Sequence, residues 1–298
     1  MKEKKQPLDR AGLLKLASVA SVTTAGFLIF AKLVAWYITG SVGLLASLVD
    51  SVMDSIASLI NLFAIRYSLQ PADEKHRFGH GKAEPLAGLA QAAFIAGSAI
   101  FLTFHAIDRL RSGQVIEQAG IGMGVMVLAI VLTIVLLAIQ RYVIRKTDST
   151  AIRADSLHYL TDLLTNMSIL LALYLSMLGW KWADPVFAIG VAIYIFYSAY
   201  QIGHEAFQQL MDRELPREIR EQIQAIAMSH PEVTGTHETR TRQSGQTRFV
   251  QLHLELNENM SLKRAHEIAD GIEAKIMEYL PGAEVIIHQD PTDDSPRI

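Results

Sequence analysis

Residues 42–67 read VGLLASLVDSVMDSIASLINLFAIRY. The stretch is long and apolar enough to cross the hydrocarbon core of a bilayer, which needs about 20 mainly apolar residues. Two aspartates, Asp50 and Asp54, nevertheless lie near its middle. Residues four apart lie one above the other on a helix, so the two carboxylates share one face. Each costs about 3 kcal/mol or more at mid-membrane without a partner, so the pair predicts a spanning helix with a functional site.

Five further apolar stretches of similar length occupy the first two-thirds of the chain. Half of the 298 residues are hydrophobic, and the mean hydropathy is +0.24. Beyond about Met211 the composition changes sharply and becomes charged. We therefore predict an α-helical membrane protein with six transmembrane helices, at residues 12–38, 42–67, 83–108, 117–145, 156–179 and 185–207.

The basic residues between these spans predict the orientation of the protein. Twelve lie on one side and three on the other, and cytoplasmic loops carry the excess of Lys and Arg. Both termini are therefore expected in the cytoplasm, and the bacterial inner membrane is the expected location. Lys32, inside the first span, is expected to snorkel to the outer interface. The two groups are Lys2, Lys4, Lys5, Arg10, Arg66, Lys75, Arg77, Lys82, Arg141, Arg145, Lys146 and Arg153, and Arg109, Arg111 and Lys181.

The chain divides into three predicted parts: a cytoplasmic N-terminus at 1–11, a transmembrane domain at 12–210 and a cytoplasmic domain at 211–298. In the last part an amphipathic helix is expected at 216–228, and alternating apolar residues at 250–256 predict a half-buried strand. Ser261 is expected to begin a second helix. Its predicted apolar stripe comprises Leu262, Ala265, Ala269, Ile272 and Ile276. The pattern is that of a small α+β domain.

Several classes of function are disfavoured by composition and motif. The net charge of −3 gives no sign of a nucleic-acid partner. The chain has no cysteine, which excludes thiolate metal sites and iron–sulfur clusters. The His-Glu pairs that begin at His204 and His237 both lack the second histidine of a metalloprotease helix. We therefore expect neither an enzyme nor an organic cofactor.

The fifth span repeats the polar spacing of the second. His158 and Asp162 are again four residues apart, so they also share a helix face. Together with Asp50 and Asp54 they offer three carboxylates and one imidazole, a ligand set that suits tetrahedral Zn²⁺. Hydrogen bonds between helices, or a protonated carboxyl cluster, remain the alternative. Asp155 lies about a turn nearer the cytoplasm and is expected at the membrane interface.

The loop between the second and third spans carries a second candidate metal site. Asp73, His76 and His80 lie within eight residues. Gly79 and Gly81 would allow the backbone to fold tightly around an ion. A solvated polar loop is the alternative explanation.

The paired motifs resemble those of the cation diffusion facilitators. Asp-x-x-x-Asp on the second span and His-x-x-x-Asp on the fifth carry the resemblance, and the loop from Tyr67 to Lys82 resembles the bacterial zinc and ferrous-iron efflux members. The resemblance extends from the first span to Asp290. It implies export of Zn²⁺, with Cd²⁺ and Fe²⁺ as further substrates, in exchange for protons. Protons compete with metal for the same ligands.

The resemblance also implies further sites and a partner. It implies a zinc site in the loop, and a C-terminal domain with a ferredoxin-like metallochaperone fold that forms a homodimer contact. Zinc would thus be both substrate and structural ion. A binuclear zinc site would comprise His237, His253, His266, His288 and Asp290, and Lys82 with Asp212 would form a charge interlock near the membrane.

A membrane-anchored zinc sensor without transport is the competing function. It would explain the C-terminal histidines, but it leaves the matched intramembrane pairs without a task.

Overall fold

Six long helices precede a small domain in the computed structural model of the chain. The structure describes residues 10–40, 42–112, 120–177 and 183–292. Each of the six helices has 27 to 30 residues, and at 1.5 Å per residue this makes them about 40–45 Å long. They are α1 Arg10–Thr39, α2 Val42–Ser68, α3 Ala83–Ser112, α4 Gly120–Thr147, α5 Thr150–Met177 and α6 Ala183–Leu210.

The predicted fold class, a helical membrane domain followed by an α+β domain, is confirmed. Five helices are both long and apolar enough to cross a membrane, and the exception among the described residues is α5, which carries the polar motif. That helix begins six residues before the predicted start. Ser149 Oγ accepts a hydrogen bond from the Ile152 amide at 3.2 Å, and Ala151 and Ile152 are fully buried. Capping and burial therefore begin the helix before its apolar run does.

The long helices pack around α5, which contacts α1, α2, α3 and α4. Helix α6 packs on α3 through Ile195, Ala199 and Ile202. Helix α3 approaches the start of α5 closely, because a Cβ at Gly88 would lie 3.3 Å from the Thr150 carbonyl group. Helices α2 and α5 therefore lie beside each other inside the bundle, which is the condition for their polar faces to meet.

Residues 208–298 form a second compact unit. Its elements are α7 Arg217–Met228, β1 Val233–Ser244, β2 Thr247–Leu256, α8 Leu262–Tyr279 and β3 Glu284–Pro291. Strands β1 and β2 form an antiparallel hairpin, and β3 pairs in parallel with β2, in the order β1-β2-β3.

One face of this sheet forms the core with both helices. Leu252 and Leu254 are at most 1% exposed and pack with α8 through Ile268, Ile272 and their neighbours. Ser261 caps α8, as predicted, by accepting from the Arg264 amide at 3.3 Å. Leu262 was expected in the buried stripe but is 80% exposed, because it lies in the first turn before the stripe reaches the sheet.

Candidate metal centres

The first centre lies between α2 and α5 inside the bundle. Asp54, His158 and Asp162 each offer a ligand atom, and these atoms all lie within 4.8 Å of one another. The i, i+4 spacing puts His158 above Asp162 on α5, and the contact between the two helices brings Asp54 opposite them. The side chain of Asp50, the fourth predicted member, lies outside the described part of the chain. We refer to the three described residues as the membrane cluster.

The membrane cluster has the geometry of ligands that converge on one point. His158 Nε2 lies 3.0 Å from Asp54 Oδ1, but the two atoms are not aligned as a hydrogen bond. The imidazole side chain is 8% exposed, and the Asp54 side chain is 24% exposed. A half-buried set of one nitrogen and several carboxylate oxygens suits a divalent transition-metal ion.

A cavity of about 170 Å³ extends from the membrane cluster towards one end of the bundle. On α2 its lining includes Ser47 and Ser51, which precede Asp54, and on α5 it includes Thr165 and Asn166, which follow Asp162. The cavity therefore runs towards the end where α1 turns into α2 at Gly40, which we call the turn end. The opposite end carries the loop of residues 69–82, and we call it the loop end.

Lys32 lines this cavity and, although it was expected to snorkel along its own helix, it bonds to the neighbouring helix. Its Nζ donates to Ser51 Oγ at 2.6 Å and to the Ser47 carbonyl at 3.1 Å. The ammonium group therefore ends on α2, inside the bundle. Hydrogen bonding to a neighbouring helix replaces the hydration that snorkelling would have provided.

Asp155, on the loop-end side of the membrane cluster, was expected at the membrane interface, and the structure buries it fully between helices. One side chain from each of three other helices donates to its carboxylate. These are Ser21 Oγ on α1 at 2.5 Å, Gln91 Nε2 on α3 at 3.3 Å and Gln140 Nε2 on α4 at 2.8 Å. A buried carboxylate is tolerated here because its oxygens are satisfied.

Tyr159 extends this polar network towards the membrane cluster. Its hydroxyl hydrogen-bonds with Ser58 Oγ at 2.9 Å and donates to the Ser21 carbonyl at 3.2 Å. Tyr159, Ser58 and Ser21 are each at most 2% exposed. Buried polar side chains thus join the helices on the loop-end side of the membrane cluster, whereas the cavity beside the cluster lies on the turn-end side.

The second centre is the loop of Asp73, His76 and His80, whose ligand atoms also lie within 4.8 Å of one another. Asp73 Oδ1 is 3.3 Å from His76 Nδ1, and Asp73 Oδ2 is 3.3 Å from His80 Nε2. His80 Nδ1 lies 3.2 Å from the Pro71 carbonyl. A proton on Nδ1 would bond to that carbonyl and leave the Nε2 lone pair facing Asp73, the usual orientation of a metal-binding imidazole.

The backbone of this loop keeps its carboxylate ionised. Asp73 Oδ1 accepts from the His76 amide at 2.6 Å and from the Lys75 amide at 2.8 Å. The amide of His76 above all, against a smaller opposing effect of burial, holds the pKa of Asp73 below its ordinary value. Gly79 takes a positive φ of 74°, which permits the tight turn before His80. The loop therefore presents a deprotonated carboxylate beside two imidazoles.

The third centre is a row of histidines across the C-terminal sheet. His237 pairs with His253 in the antiparallel register, and His253 pairs with His288 in the parallel register. Directly paired residues point to the same face, and their ring centroids are 4.9 and 4.7 Å apart. That face is opposite the one packed on α8, because Leu252 and Leu254 alternate with His253.

Asp290 joins the three histidines of this row. Its Oδ2 lies 2.8 Å from His253 Nδ1 and 3.1 Å from His237 Nε2, and its Oδ1 lies 3.2 Å from His288 Nε2. Burial raises the pKa of this carboxyl, but the hydrogen bond from His253 and the charges of the imidazoles outweigh it, and the net pKa is lowered. His237, His253 and Asp290 have mutually close ligand atoms, and His288 lies at the edge. We call these four residues the sheet cluster.

A β-bulge gives His237 its place in the row. The register shifts between His237 and Arg240, and Glu238 adopts a positive φ of 45°. Strand β1 has one extra residue at this point, so its side chains keep alternating between the two faces of the sheet on each side of the bulge. Glu255 also contacts His237, with its Oε1 3.0 Å from Nδ1. The sequence did not single out Glu255, although its i+2 position after His253 places it on the same face.

Three predicted residues lie apart from these clusters. His266 is on α8, on the other side of the sheet, and its Nε2 lies 3.5 Å from Asp270 at a side-chain exposure of 69%. Asp212 forms an ion pair with Arg242 at 3.3 Å within the C-terminal unit. Lys82 belongs to the other unit, so the Lys82–Asp212 interlock stays a prediction.

Sequence reasoning missed the roles of Lys32 and Asp155, together with the partners of Asp155. One feature of the sequence indicated that Asp155 faces the bundle interior: it lies three residues before His158 and so shares its helix face. Gln91 and Gln140 were a second signal, because each is an isolated amide in an apolar stretch.

Comparison with known proteins gives matches along almost the whole chain. Residues 18–211 match the family model described as the cation efflux transmembrane domain. Residues 215–292 match the model described as the cation efflux protein cytoplasmic domain. The metal-bound C-terminal domain of the CzcD transporter from Thermotoga maritima, a solved structure, is 28% identical and covers 26% of this chain and 94% of that one. The TM-score of this match is 0.25.

Curated relatives are similar over nearly their full length. The cation-efflux pump FieF of Salmonella choleraesuis (strain SC-B67) is 52% identical over 285 residues, covering 96% of this chain and 95% of the relative. The protein of the same name from Salmonella newport (strain SL254) gives the same figures. Because the transmembrane model matches residues 18–211 and a relative is 52% identical across 96% of the chain, this protein belongs to the cation efflux family, the cation diffusion facilitators.

Proposed function

We propose that this chain exports divalent transition-metal ions, Zn²⁺ foremost, from the cytoplasm in exchange for protons. Membership of the family supports metal cation efflux itself. The observation that carries the finer proposal is the membrane cluster, in which Asp54 faces His158 and Asp162 across two neighbouring helices. We assign Asp50, one turn from Asp54, as the fourth ligand of the transported ion.

The chemistry of the ligands supports zinc as the principal substrate. One imidazole and three carboxylates form a nitrogen and oxygen set that Zn²⁺ accepts in tetrahedral geometry. The absence of cysteine from the chain disfavours Cu(I), which prefers soft sulfur ligands. Cd²⁺ and Fe²⁺ are proposed as further substrates.

The same ligands support exchange against protons. A metal ion binds only when the carboxylates are ionised and His158 is neutral, so protonation releases it. Imidazole is the side chain whose ordinary pKa lies closest to physiological pH. An inward proton gradient then drives metal outward if the loaded site faces the cytoplasm and the protonated site faces the other side. Alternating access of this kind needs α2 and α5 to rock against their neighbours.

The remaining assignments concern the orientation of the protein in the membrane, its domains and its dimer. The excess of basic residues at the loop end favours cytoplasmic termini and insertion in the inner membrane. We propose a transmembrane domain at 12–210 and a cytoplasmic domain at 211–298 that forms the homodimer contact. The loop site and the five-residue set of His237, His253, His266, His288 and Asp290 would bind zinc as structural or regulatory ions, and Lys82 with Asp212 would form the charge interlock.

Transport by the membrane cluster is tested in proteoliposomes with an imposed pH gradient. Asp54→Ala removes one ligand from α2 and should abolish proton-driven zinc flux. Asp108→Ala is the matched control, because Asp108 is an exposed aspartate of the neighbouring helix α3 outside the cluster. The control should transport at the wild-type rate. Undiminished flux in Asp54→Ala would refute the transport site.

A zinc sensor without transport is the second candidate, and the sheet cluster favours it. Those residues would report metal in the cytoplasm even if nothing crossed the membrane. Flux in the same proteoliposomes separates the two, because a sensor binds zinc in the C-terminal domain but moves none.

A further inference from the structure

The cavity beside the membrane cluster is lined by one basic side chain among the described residues, that of Lys32. Lys32 is half-buried on α1, and its Nζ is held by Ser51 and the Ser47 carbonyl. Asp54 and Asp162 line the same cavity. Among the described residues of its lining, these three are the ones that carry charge.

The charges in this region can be counted. The proposed transport site contains three carboxylates and one neutral imidazole, a net charge of −3. A divalent ion leaves −1, and net charge in a membrane interior is costly. The ammonium group of Lys32 adds +1 and brings the loaded site and its cavity to neutrality, with Asp155 outside the cavity lining.

We propose that Lys32 is a charge-balancing residue of the transport site, whose ammonium neutralises the metal-loaded state and weakens binding enough for release. The inference rests on the proposed function, since it requires a transported divalent ion at the membrane cluster. Lys32 does not ligate the metal. It acts through the field inside a cavity where screening by water is limited.

A purely structural role for Lys32 makes different predictions. Its hydrogen bonds to Ser51 and Ser47 join α1 to α2, and a neutral glutamine could preserve part of that contact. Arginine preserves the charge with a different donor geometry. The two substitutions therefore separate charge from contact.

The experiment measures zinc affinity by calorimetry on the full-length protein in detergent. His76→Ala and His253→Ala are introduced first, so that zinc binding reports the membrane cluster. In this background Lys32→Gln should bind zinc at least about tenfold more tightly, because tenfold corresponds to the interaction of two elementary charges about 12 Å apart at an effective dielectric constant of about 20. Its turnover at saturating zinc should fall, because release is slower.

Three further variants act as controls. Lys32→Arg should keep affinity and turnover close to the starting values. Lys15→Gln removes an exposed charge from the same helix, far from the cavity lining, and should change neither. Ser51→Ala keeps the ammonium and removes its 2.6 Å acceptor, so affinity should change by less than about threefold, because the charge that acts on the ion stays in place.

The outcomes separate this inference from the proposed function. If zinc binding in the background is lost in Asp54→Ala but unchanged in Lys32→Gln, the proposed function stands and the inference is refuted. Equal changes in Lys32→Gln and Lys32→Arg would also refute it. If Lys32→Gln does not fold, a tenfold change in Ser51→Ala would show that the contact and not the charge matters. Binding that persists in Asp54→Ala would refute the proposed function itself.

Discussion

Gln140 Nε2 donates a hydrogen bond to Asp155 Oδ2 at 2.8 Å, and neither residue is exposed. The bond joins α4 to α5 on the loop-end side of the membrane cluster. Ser21 and Gln91 donate to the same carboxylate from α1 and α3, so four helices meet at one side chain. Such a junction requires a side chain with two acceptor oxygens. A carboxylate has two, whereas an amide has one oxygen and one donor group.

Replacement of Asp155 should destabilise the bundle in a graded way. Asp155→Leu removes an acceptor from three buried donors. Gln140 Nε2 keeps Ser21 Oγ at 3.0 Å and Ser21 Oγ keeps the Ala17 carbonyl at 3.1 Å, so Gln91 loses most, and each donor left unsatisfied costs about 1–3 kcal/mol. Asp155→Asn keeps one oxygen and turns the other position into a donor that faces Gln140 or Gln91, so its cost should be smaller. Thermal unfolding of the purified protein in detergent measures both variants.

Asp148→Asn is the control for this series. Asp148 also lies next to α5, but its side chain is 79% exposed and pairs with Arg153 at 2.5 Å. Exposed ion pairs contribute at most about 1 kcal/mol, so the control should melt close to the wild type. Melting of Asp155→Leu at the same temperature as the control would contradict a stabilising junction.

The two histidines of the loop centre should differ in what their loss does. His80 is 3% exposed and is held by Pro71, whereas His76 is 51% exposed. Both alanine variants should lose zinc from the loop. Only His80→Ala should also loosen the loop backbone, because it removes a buried ring that packs on Tyr67 at 4.5 Å.

Zinc stoichiometry and hydrogen exchange of residues 69–82 provide the two measurements. His204→Ala is the control, because His204 is an exposed histidine outside the described clusters. Equal exchange protection in His76→Ala and His80→Ala would contradict the distinction. Unchanged stoichiometry in both would favour a solvated polar loop over a metal site.

The helical spacing of polar residues was readable from the sequence, but their partners were not. The i, i+4 pairs of α2 and α5 predicted which faces would meet, because helix rotation is fixed at 3.6 residues per turn. The positions of Asp155 and Lys32 were judged from depth along their own helices. Their environment depends on Ser21, Gln140 and Ser51, which other helices contribute, and periodicity within one helix carries no information about them.

The sheet cluster shows the same limit in a strand. Alternation predicted that His288 and Asp290 share a face, since the side-chain period of a strand is two. The position of His237 opposite His253 depends on the bulge at Glu238, which alternation alone does not reveal. For His266 the helix pattern predicted an edge position, but which face of the sheet α8 covers is decided by packing.

Removal of the middle histidine of the sheet cluster should separate the cytoplasmic metal from the transported one. His253 contacts Asp290 and lies between His237 and His288, so His253→Ala removes a ligand and the link between its neighbours. Zinc stoichiometry by calorimetry should fall, the dimer should weaken in sedimentation, and binding at the membrane cluster should remain.

His266→Ala is the matched comparison. A smaller loss there would favour a site centred on the sheet cluster, and an equal loss would favour the five-residue set. Full stoichiometry in His253→Ala would refute metal binding at this face.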